Sequence, residues 1–155
     1  MQISVIGSSA PDDAMYQLAY ELGKELAPLG HVVINGGRGG IMEGVSRGVK
    51  EMGGLVIGIL PGDTRRSGNG HLSAEVVTGM GEMRNFLLVL SGDLIIAFPG
   101  SYGTVSEISF SMRNNKRIII VRPDLHEYQV RGANVLMADG LEEIMNHISG
   151  IYDIR

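Results

Sequence analysis

Short apolar runs alternate along the chain with longer stretches in which apolar residues recur every three or four positions. Residues 3–6 form a β-branched run that ends at Gly7, and residues 12–29 then carry apolar side chains at helical spacing. The same alternation predicts further strands at 31–34, 55–60, 75–78, 93–98 and 117–121, and helices at 41–52, 80–90, 104–114 and 140–147. The pattern therefore predicts a chain of consecutive β-α units.

The predicted strands are almost continuously apolar, as in VVI, LVIGIL, LIIAF and IIIV. Such runs are typical of strands that are covered on both faces, and hence of a parallel sheet. Right-handed crossover helices then give a doubly wound, mostly parallel, Rossmann-like α/β sheet flanked by helices. The 155 residues suit one domain, which we expect to span 1–155. In such a fold, ligands bind beyond the carboxyl ends of the strands.

The composition favours a small ligand. The 23 glycines are about twice the usual share. The net charge of −4 contains no block of like charges, so we expect no nucleic-acid partner. No apolar run approaches the ~20 residues that cross a bilayer, so we expect no membrane contact and a cytoplasmic location. The absence of cysteine excludes disulfides, thiolate nucleophiles and cysteine-ligated zinc.

Three glycine-rich turns follow predicted strands, at residues 7–9, 36–40 and 100–104. Such a turn at the start of a helix presents free backbone N–H groups and the positive end of the helix dipole, which together bind anions such as phosphate. Glycine at one such turn has a simpler explanation, tight helix packing, but three equivalent turns favour a binding site. The predicted ligand-binding residues of the turns are Gly7, Ser8, Ser9, Gly36, Gly37, Arg38, Gly39, Gly40, Gly100, Ser101, Tyr102, Gly103 and Thr104.

Two common nucleotide motifs are missing. A dinucleotide pattern G-x-G-x-x-G that starts at Gly37 would need glycine where Met42 stands. The Gly23-Lys24 pair lies within a predicted helix and lacks the upstream glycine of a P-loop. The four histidines show no metal-ligand spacing. We therefore expect neither a bound cofactor nor a metal.

The stretch PGSYGTVSE at 99–107 resembles the PGGxGTxxE signature of the lysine decarboxylase-like family. That family includes the Lonely Guy phosphoribohydrolases, which activate cytokinins, and the molybdenum cofactor carrier proteins. GGRGGIMEGVSRG at 36–48 is similar to its upstream glycine motif, and VIGSSAP at 5–11 to its first strand and turn. The resemblance implies a Rossmann-like fold, commonly dimeric, that binds a nucleotide or another phosphorylated ligand.

In the phosphoribohydrolases of this family, the glutamate that ends the signature and an upstream arginine are catalytic. By resemblance these correspond to Glu107 and to Arg84, which would orient Glu107 through a bidentate pair or neutralise substrate charge. Two positions depart from the hydrolase pattern: Ser101 replaces a glycine, and Asn85 follows Arg84 where the hydrolases usually have lysine. An Arg-Asn pair is similar to the carrier branch, so Asn85 joins the predicted ligand-binding residues.

Two hypotheses follow. The first is cleavage of nucleoside 5′-monophosphates to base and ribose 5-phosphate, with Glu107 facing the sugar. The second is a non-catalytic carrier for a phosphorylated cofactor such as molybdenum cofactor. Lysine decarboxylation by a pyridoxal enzyme needs a lysine that forms a Schiff base with the cofactor. This activity is disfavoured, because Lys24, Lys50 and Lys116 are all predicted to lie away from the carboxyl ends of the strands.

Two further expectations concern the surroundings of the site. The loop at 61–73 is rich in glycine and polar residues, and we expect it to be mobile and to act as a lid. The apolar residues at 105, 108, 110 and 112 give the helix more apolar surface than packing against one face of the sheet requires. Together with the dimers that are common in the family it resembles, this surface predicts a homodimer.

Overall fold

The computed structural model describes residues 1–126 and 129–152, without the side chain of the last of these. The strands are β1 (Gln2–Ile6), β2 (Val32–Asn35), β3 (Leu55–Leu60), β4 (Ala74–Val77), β5 (Leu94–Ala97), β6 (Arg117–Val121) and β7 (Val135–Ala138). The helices are α1 (Asp13–Leu26), α2 (Ile41–Glu51), α3 (Asn85–Ser91), α4 (Tyr102–Arg113) and α5 (Leu141–Tyr152). Short 3-10 turns cover Gly81–Arg84 and Pro123–Leu125.

The strands form one parallel sheet in the order β4-β3-β2-β1-β5-β6-β7, so the predicted doubly wound, Rossmann-like fold is confirmed. The chain winds outward from β1 to β4, and then returns to place β5 on the other side of β1. This reversal opens a crevice between the carboxyl ends of β1 and β5, where doubly wound folds bind ligands.

Apolar side chains pack on both faces of the sheet. On one face, Ile3 and Ile96 join a buried cluster with residues of α1, α2 and α5. On the other face, Ile95 joins Leu88 of α3 and Ile108 of α4. Because the strands are covered on both sides, both alternating sets of their residues are apolar, which explains the continuous runs in the sequence.

Two elements differ from the sequence prediction. The strand β7 was not predicted, because it is a four-residue edge strand with only one fully buried residue. The helix predicted at 80–90 begins instead with a 3-10 turn, and α3 starts only at Asn85. Gly79 and Gly81 have φ of 61° and 57°, which are incompatible with a regular helix. This irregular entry places Arg84 at the start of α3.

Candidate functional site

The three glycine-rich turns meet at Ser8. The backbone N–H of Ser8 donates to the carbonyl of Pro99 at 3.1 Å, which connects the turn after β1 to the turn after β5. The carbonyl of Ser8 accepts from the N–H of Ile41 at 3.0 Å, which connects it to the start of α2. The predicted convergence of the three turns is therefore present in the structure.

Two glycines make this approach possible. Gly40 has φ of 67°, and a Cβ there would collide with the backbone of Ser8 and Ser9. A Cβ at Gly100 would collide with the side chain of Thr104. These glycines serve packing between the turns, which was the simpler explanation considered from the sequence.

Asn35 fixes the turn after β2 from beneath. Its fully buried amide donates to the hydroxyl of Ser46 at 2.8 Å and to the carbonyl of Met42 at 3.3 Å. Its carbonyl oxygen accepts the N–H of Gly37 at 2.7 Å. The side chain therefore joins the end of a strand to the helix that follows, and holds the turn in one conformation.

A crevice of about 140 Å³, partly open to solvent, lies between these turns and the start of α3. Most of the predicted site residues line it: Gly7, Ser8, Ser9, Gly36, Arg38, Arg84, Asn85, Ser101, Gly103, Thr104 and Glu107. The crevice is also lined by residues that no sequence motif predicted: Val5, Ile6, Met42, Pro61, Glu82 and Leu88.

The remaining predicted residues do not line the crevice. Gly37, Gly39, Gly40 and Gly100 belong to the same turns but lie outside the lining. A Cβ at Gly37, Gly40 or Gly100 would collide with neighbouring atoms. The side chain of Tyr102 is 78% exposed and also lies outside the lining. Contact of these five residues with a ligand stays a prediction, whereas a packing role is visible for Gly37, Gly40 and Gly100.

Arg84 is held by the backbone at the floor of the crevice. Its side chain is only 8% exposed, and Nη1 donates to the carbonyl oxygens of Gly36, at 2.6 Å, and of Ile59. Its Nε donates to Oδ1 of Asn85 at 2.8 Å. Among residues 1–126 and 129–152, Nη2 has no hydrogen-bond partner, so its two N–H groups are available to a ligand in the crevice that Arg84 lines. Burial lowers the pKa of Arg84, while the charge of Glu107 acts in the opposite direction.

Glu107 lies on the second turn of α4 and is 7% exposed. Burial raises the pKa of its carboxyl to about 7, the positive charge of Arg84 lowers it, and the negative charge of Glu82 raises it further. A carboxyl with such a pKa exchanges its proton near neutral pH, as groups at reaction centres commonly do.

The expected direct pair between Arg84 and Glu107 is absent. Within the described residues, the ion pairs shorter than 4.0 Å join other side chains, all on the surface. The guanidinium of Arg84 is turned instead toward carbonyl oxygens and Asn85, which satisfy three of its donors. A group bound in the crevice could therefore meet the guanidinium and the carboxyl separately.

The described residues contain no group of three or more histidine, aspartate or glutamate side chains that could hold a metal ion. Over the same residues, no helix has the length and apolar character needed to cross a membrane. What the crevice offers is backbone N–H groups, hydroxyls, two arginines and two carboxyls. This set of groups suits a phosphorylated ligand that also carries hydroxyl groups.

A family model described as the SLOG cluster4 family matches residues 1–145 of the chain. A protein of Archaeoglobus fulgidus, described only as uncharacterized, is 42% identical over 123 residues, or 79% of this chain and 81% of that protein. The cytokinin riboside 5′-monophosphate phosphoribohydrolase LOG of Oryza sativa subsp. japonica is 41% identical over 107 residues, or 66% of this chain. These residues make up 44% of the rice protein, so the chain spans less than half of its length.

A solved structure extends the similarity over nearly the whole chain. The molybdenum cofactor binding protein from the phototrophic bacterium Rippkaea orientalis superposes with a TM-score of 0.84 at 30% sequence identity. The superposition covers 97% of this chain and 95% of that protein. The chain is thus similar both to a phosphoribohydrolase and to a cofactor-binding protein, the two classes that the resemblance of 99–107 suggested.

Proposed function

Because the chain belongs to the SLOG cluster4 family, we propose that it binds a nucleoside 5′-monophosphate in the crevice and cleaves its N-glycosidic bond. The products are the free base and ribose 5-phosphate. The observation that carries this proposal is the burial of Glu107 in the same crevice as Arg84 and the three glycine-rich turns. The similarity to the rice phosphoribohydrolase supports it.

One helix relates the two ends of the substrate. The first turn of α4 carries Gly103 and the hydroxyl of Thr104, next to the free N–H groups of the helix terminus. Glu107 follows Thr104 by three residues and so lies one turn further along the same face. A phosphate at the helix terminus would place the attached ribose near the carboxyl, and binding would align the reacting groups.

The reaction requires a negative charge beside the sugar. As the bond between C1′ and the base nitrogen breaks, its electron pair leaves with the base and positive charge develops on the ribose. The ionised carboxyl of Glu107 would stabilise that charge and orient a water molecule toward C1′. The water supplies a hydroxyl group to C1′ and a proton to the base. The free Nη2 of Arg84 would contact an oxygen of the substrate.

Release of adenine from AMP, followed by chromatography, tests this proposal. We expect release by the unaltered protein and a loss of at least about a hundredfold in Glu107→Gln, which keeps the shape of the side chain and removes its charge. Glu25→Gln, on an exposed position of α1, is the matched control and should retain full activity. No release by the unaltered protein from any nucleoside monophosphate, or equal release by Glu107→Gln, would contradict the proposal.

A second function is favoured by the contact between Arg84 and Asn85. Oδ1 of Asn85 accepts from the Nε of Arg84, a role that lysine cannot take. The Arg-Asn pair resembles the carrier branch, and a cofactor-binding protein is 30% identical over nearly the whole chain. The chain would then hold a phosphorylated cofactor such as molybdenum cofactor without turnover.

The carrier function predicts tight binding with no chemical change of the ligand. A cofactor that stays bound through purification, and that mass spectrometry identifies as intact, would support it. Gly103→Ala provides the test of the site, because the added methyl group meets no atom within 4 Å in the structure. The fold should therefore persist while affinity falls; unchanged affinity would remove the turn after β5 from the binding site.

We also propose that the protein is a homodimer, formed through α3 and its neighbour α4. Phe86 and Leu90, which are 43% and 53% exposed, lie four residues apart on one face of α3. The ring of Phe110 on α4 extends this apolar face, with its centroid 4.3 Å from that of Phe86. Ile108, which the sequence analysis counted toward this surface, is buried against the sheet instead.

A further inference from the structure

We propose that Asn69 is a positioning residue that holds Arg38 at the mouth of the crevice and thereby sets the affinity for a phosphate monoester. The inference rests on the proposed ligand class and adds a residue that lies outside the crevice lining. It concerns the loop that was predicted from the sequence to be a mobile lid, and assigns it a different role.

Asn69 donates hydrogen bonds to two consecutive carbonyl groups of the turn after β2. Its backbone N–H donates to the carbonyl of Gly37 at 2.8 Å. Its side-chain amide donates to the carbonyl of Arg38 at 2.9 Å. The remaining side-chain oxygen accepts the N–H of His71 at 3.2 Å, which fixes the amide in the orientation that these bonds need.

The same turn is held from its opposite side. Oδ1 of Asn35 accepts the N–H of Gly37, and Gly37 itself has φ of 71°. The backbone that enters Arg38 is therefore fixed by Asn35 beneath and by Asn69 above. The direction in which the side chain of Arg38 leaves the turn depends on both contacts.

The side chain of Arg38 is exposed and lines the crevice. Of the ion pairs within 4.0 Å that residues 1–126 and 129–152 form, none involves Arg38. Its charge acts on Arg84 and contributes to lowering the pKa of that residue, so the two arginines lie within electrostatic range. An unpaired guanidinium beside amide-rich turns is suited to a bidentate contact with phosphate.

The loop that carries Asn69 is held to the rest of the protein at several points. The carboxylate of Glu75 on β4 accepts the N–H groups of Arg66, at 2.8 Å, and of Gly68, at 3.1 Å. Gly68 packs so closely that a Cβ there would lie 3.2 Å from the carbonyl oxygen of Gly37. Near the start of the loop, the carbonyl of Gly62 accepts the backbone N–H of Gly79 at 3.0 Å. These contacts hold the loop against the turn that carries Arg38.

A double-mutant cycle tests the inference. Affinities for AMP and for inorganic phosphate are measured by calorimetry for the unaltered protein, Asn69→Ala, Arg38→Ala and the double variant. We expect Asn69→Ala to weaken binding about three- to tenfold, the range that one lost hydrogen bond gives. In the Arg38→Ala background, the same change should have almost no effect, because Asn69 acts through Arg38. Independent effects that multiply would overturn the proposal.

Ser67→Ala is the matched control within the same loop. The hydroxyl of Ser67 donates to the carbonyl of Thr64 at 2.7 Å, so this variant removes a hydrogen bond that does not reach Arg38. Its affinities should equal those of the unaltered protein, and a loss as large as that of Asn69→Ala would overturn the proposal. Asn69→Ser, whose hydroxyl is too short to reach the carbonyl of Arg38, replaces Asn69→Ala if that variant does not fold.

A measurement without ligand separates this inference from the proposed function. The heteronuclear NOE of the Arg38 amide, recorded by NMR in the free protein, should fall in Asn69→Ala and stay unchanged in Ser67→Ala. An unchanged NOE in Asn69→Ala would overturn the positioning role even if AMP binds. The NOE could fall in Asn69→Ala while the unaltered protein binds neither AMP nor phosphate. That result would overturn the ligand part of this inference and the proposed function. It would still support the contact between Asn69 and Arg38.

Discussion

Nη1 of Arg84 lies 2.6 Å from the carbonyl oxygen of Gly36, and so joins the segment before α3 to the turn after β2. The guanidinium rests directly on Gly36, where a Cβ would lie 2.7 Å from Nη1 and 2.9 Å from Nη2. The same Cβ would lie 2.8 Å from Sδ of Met42, so the absence of a side chain at Gly36 leaves room for both Arg84 and Met42. The contact with Gly36 fixes the position of the guanidinium of Arg84, which lines the crevice.

Gly36→Ala should consequently displace Arg84 and reduce adenine release about ten- to a hundredfold, because small shifts of a positioned group have large effects on rate. Steady-state kinetics with AMP measure the effect. Gly150→Ala is the matched control, since a methyl group there meets open space on α5. Equal rates for the two variants would show that the position of Arg84 does not matter for the reaction.

The pKa of about 7 for Glu107 predicts the pH dependence of the reaction. The ionised carboxyl is the active form in the proposed mechanism, so kcat/KM should rise with pH up to about 7 and level off above it. A phosphate monoester also titrates, near pH ~6. Comparison with the residual activity of Glu107→Gln isolates the contribution of Glu107. A profile in the unaltered protein that matches the variant in shape would contradict this role.

The same pKa predicts an effect on stability. The folded pKa of Glu107 is about 7 and the ordinary value is 4.5, so the folded state binds the proton more tightly and its stability falls as pH rises from about 4.5 to 7. Glu107→Gln should therefore stabilise the protein by up to about 3 kcal/mol at pH 8 and hardly at all at pH 4. Urea unfolding at the two pH values measures the difference, and a gain independent of pH would refute the assignment.

The apolar face of α3 predicts the oligomeric state. Phe86→Glu places a charge in the centre of the proposed interface and should convert a dimer to a monomer, which light scattering detects as a halved mass. Val76→Glu, at an exposed apolar position on the edge strand β4, is the control and should leave the dimer intact. A monomeric unaltered protein, or a dimer that survives Phe86→Glu, would exclude this interface.

The fold could be predicted from the sequence because its strands are long apolar runs separated by helical periodicity. The position of the crevice followed from the same pattern, since three glycine-rich turns end three strands. Arg84 and Glu107 were identified only by resemblance, and the structure brings both into the crevice. Their separate orientations could not be read from the sequence, because the partners of Arg84 are backbone carbonyls, which any residue supplies.

Glu82 and Asn69 show the limit of the sequence analysis most clearly. Glu82 lines the crevice from a 3-10 turn that was predicted as regular helix. Asn69 lies in a polar loop whose composition does not show which of its residues contact the rest of the protein. Its hydrogen bonds to the turn after β2 are visible only in the structure.

Titration of the ¹⁵N-labelled protein with AMP tests the central claim, that a phosphate group binds where the three glycine-rich turns converge. The account predicts saturable shifts of the backbone amides of Ser9, Gly36 and Gly103, one lining residue from each turn, with little change on the far side of the sheet. It also predicts that ribose 5-phosphate reproduces these shifts and that adenosine, which lacks the phosphate, does not. Shifts confined to another surface, or equal shifts with adenosine, would contradict it.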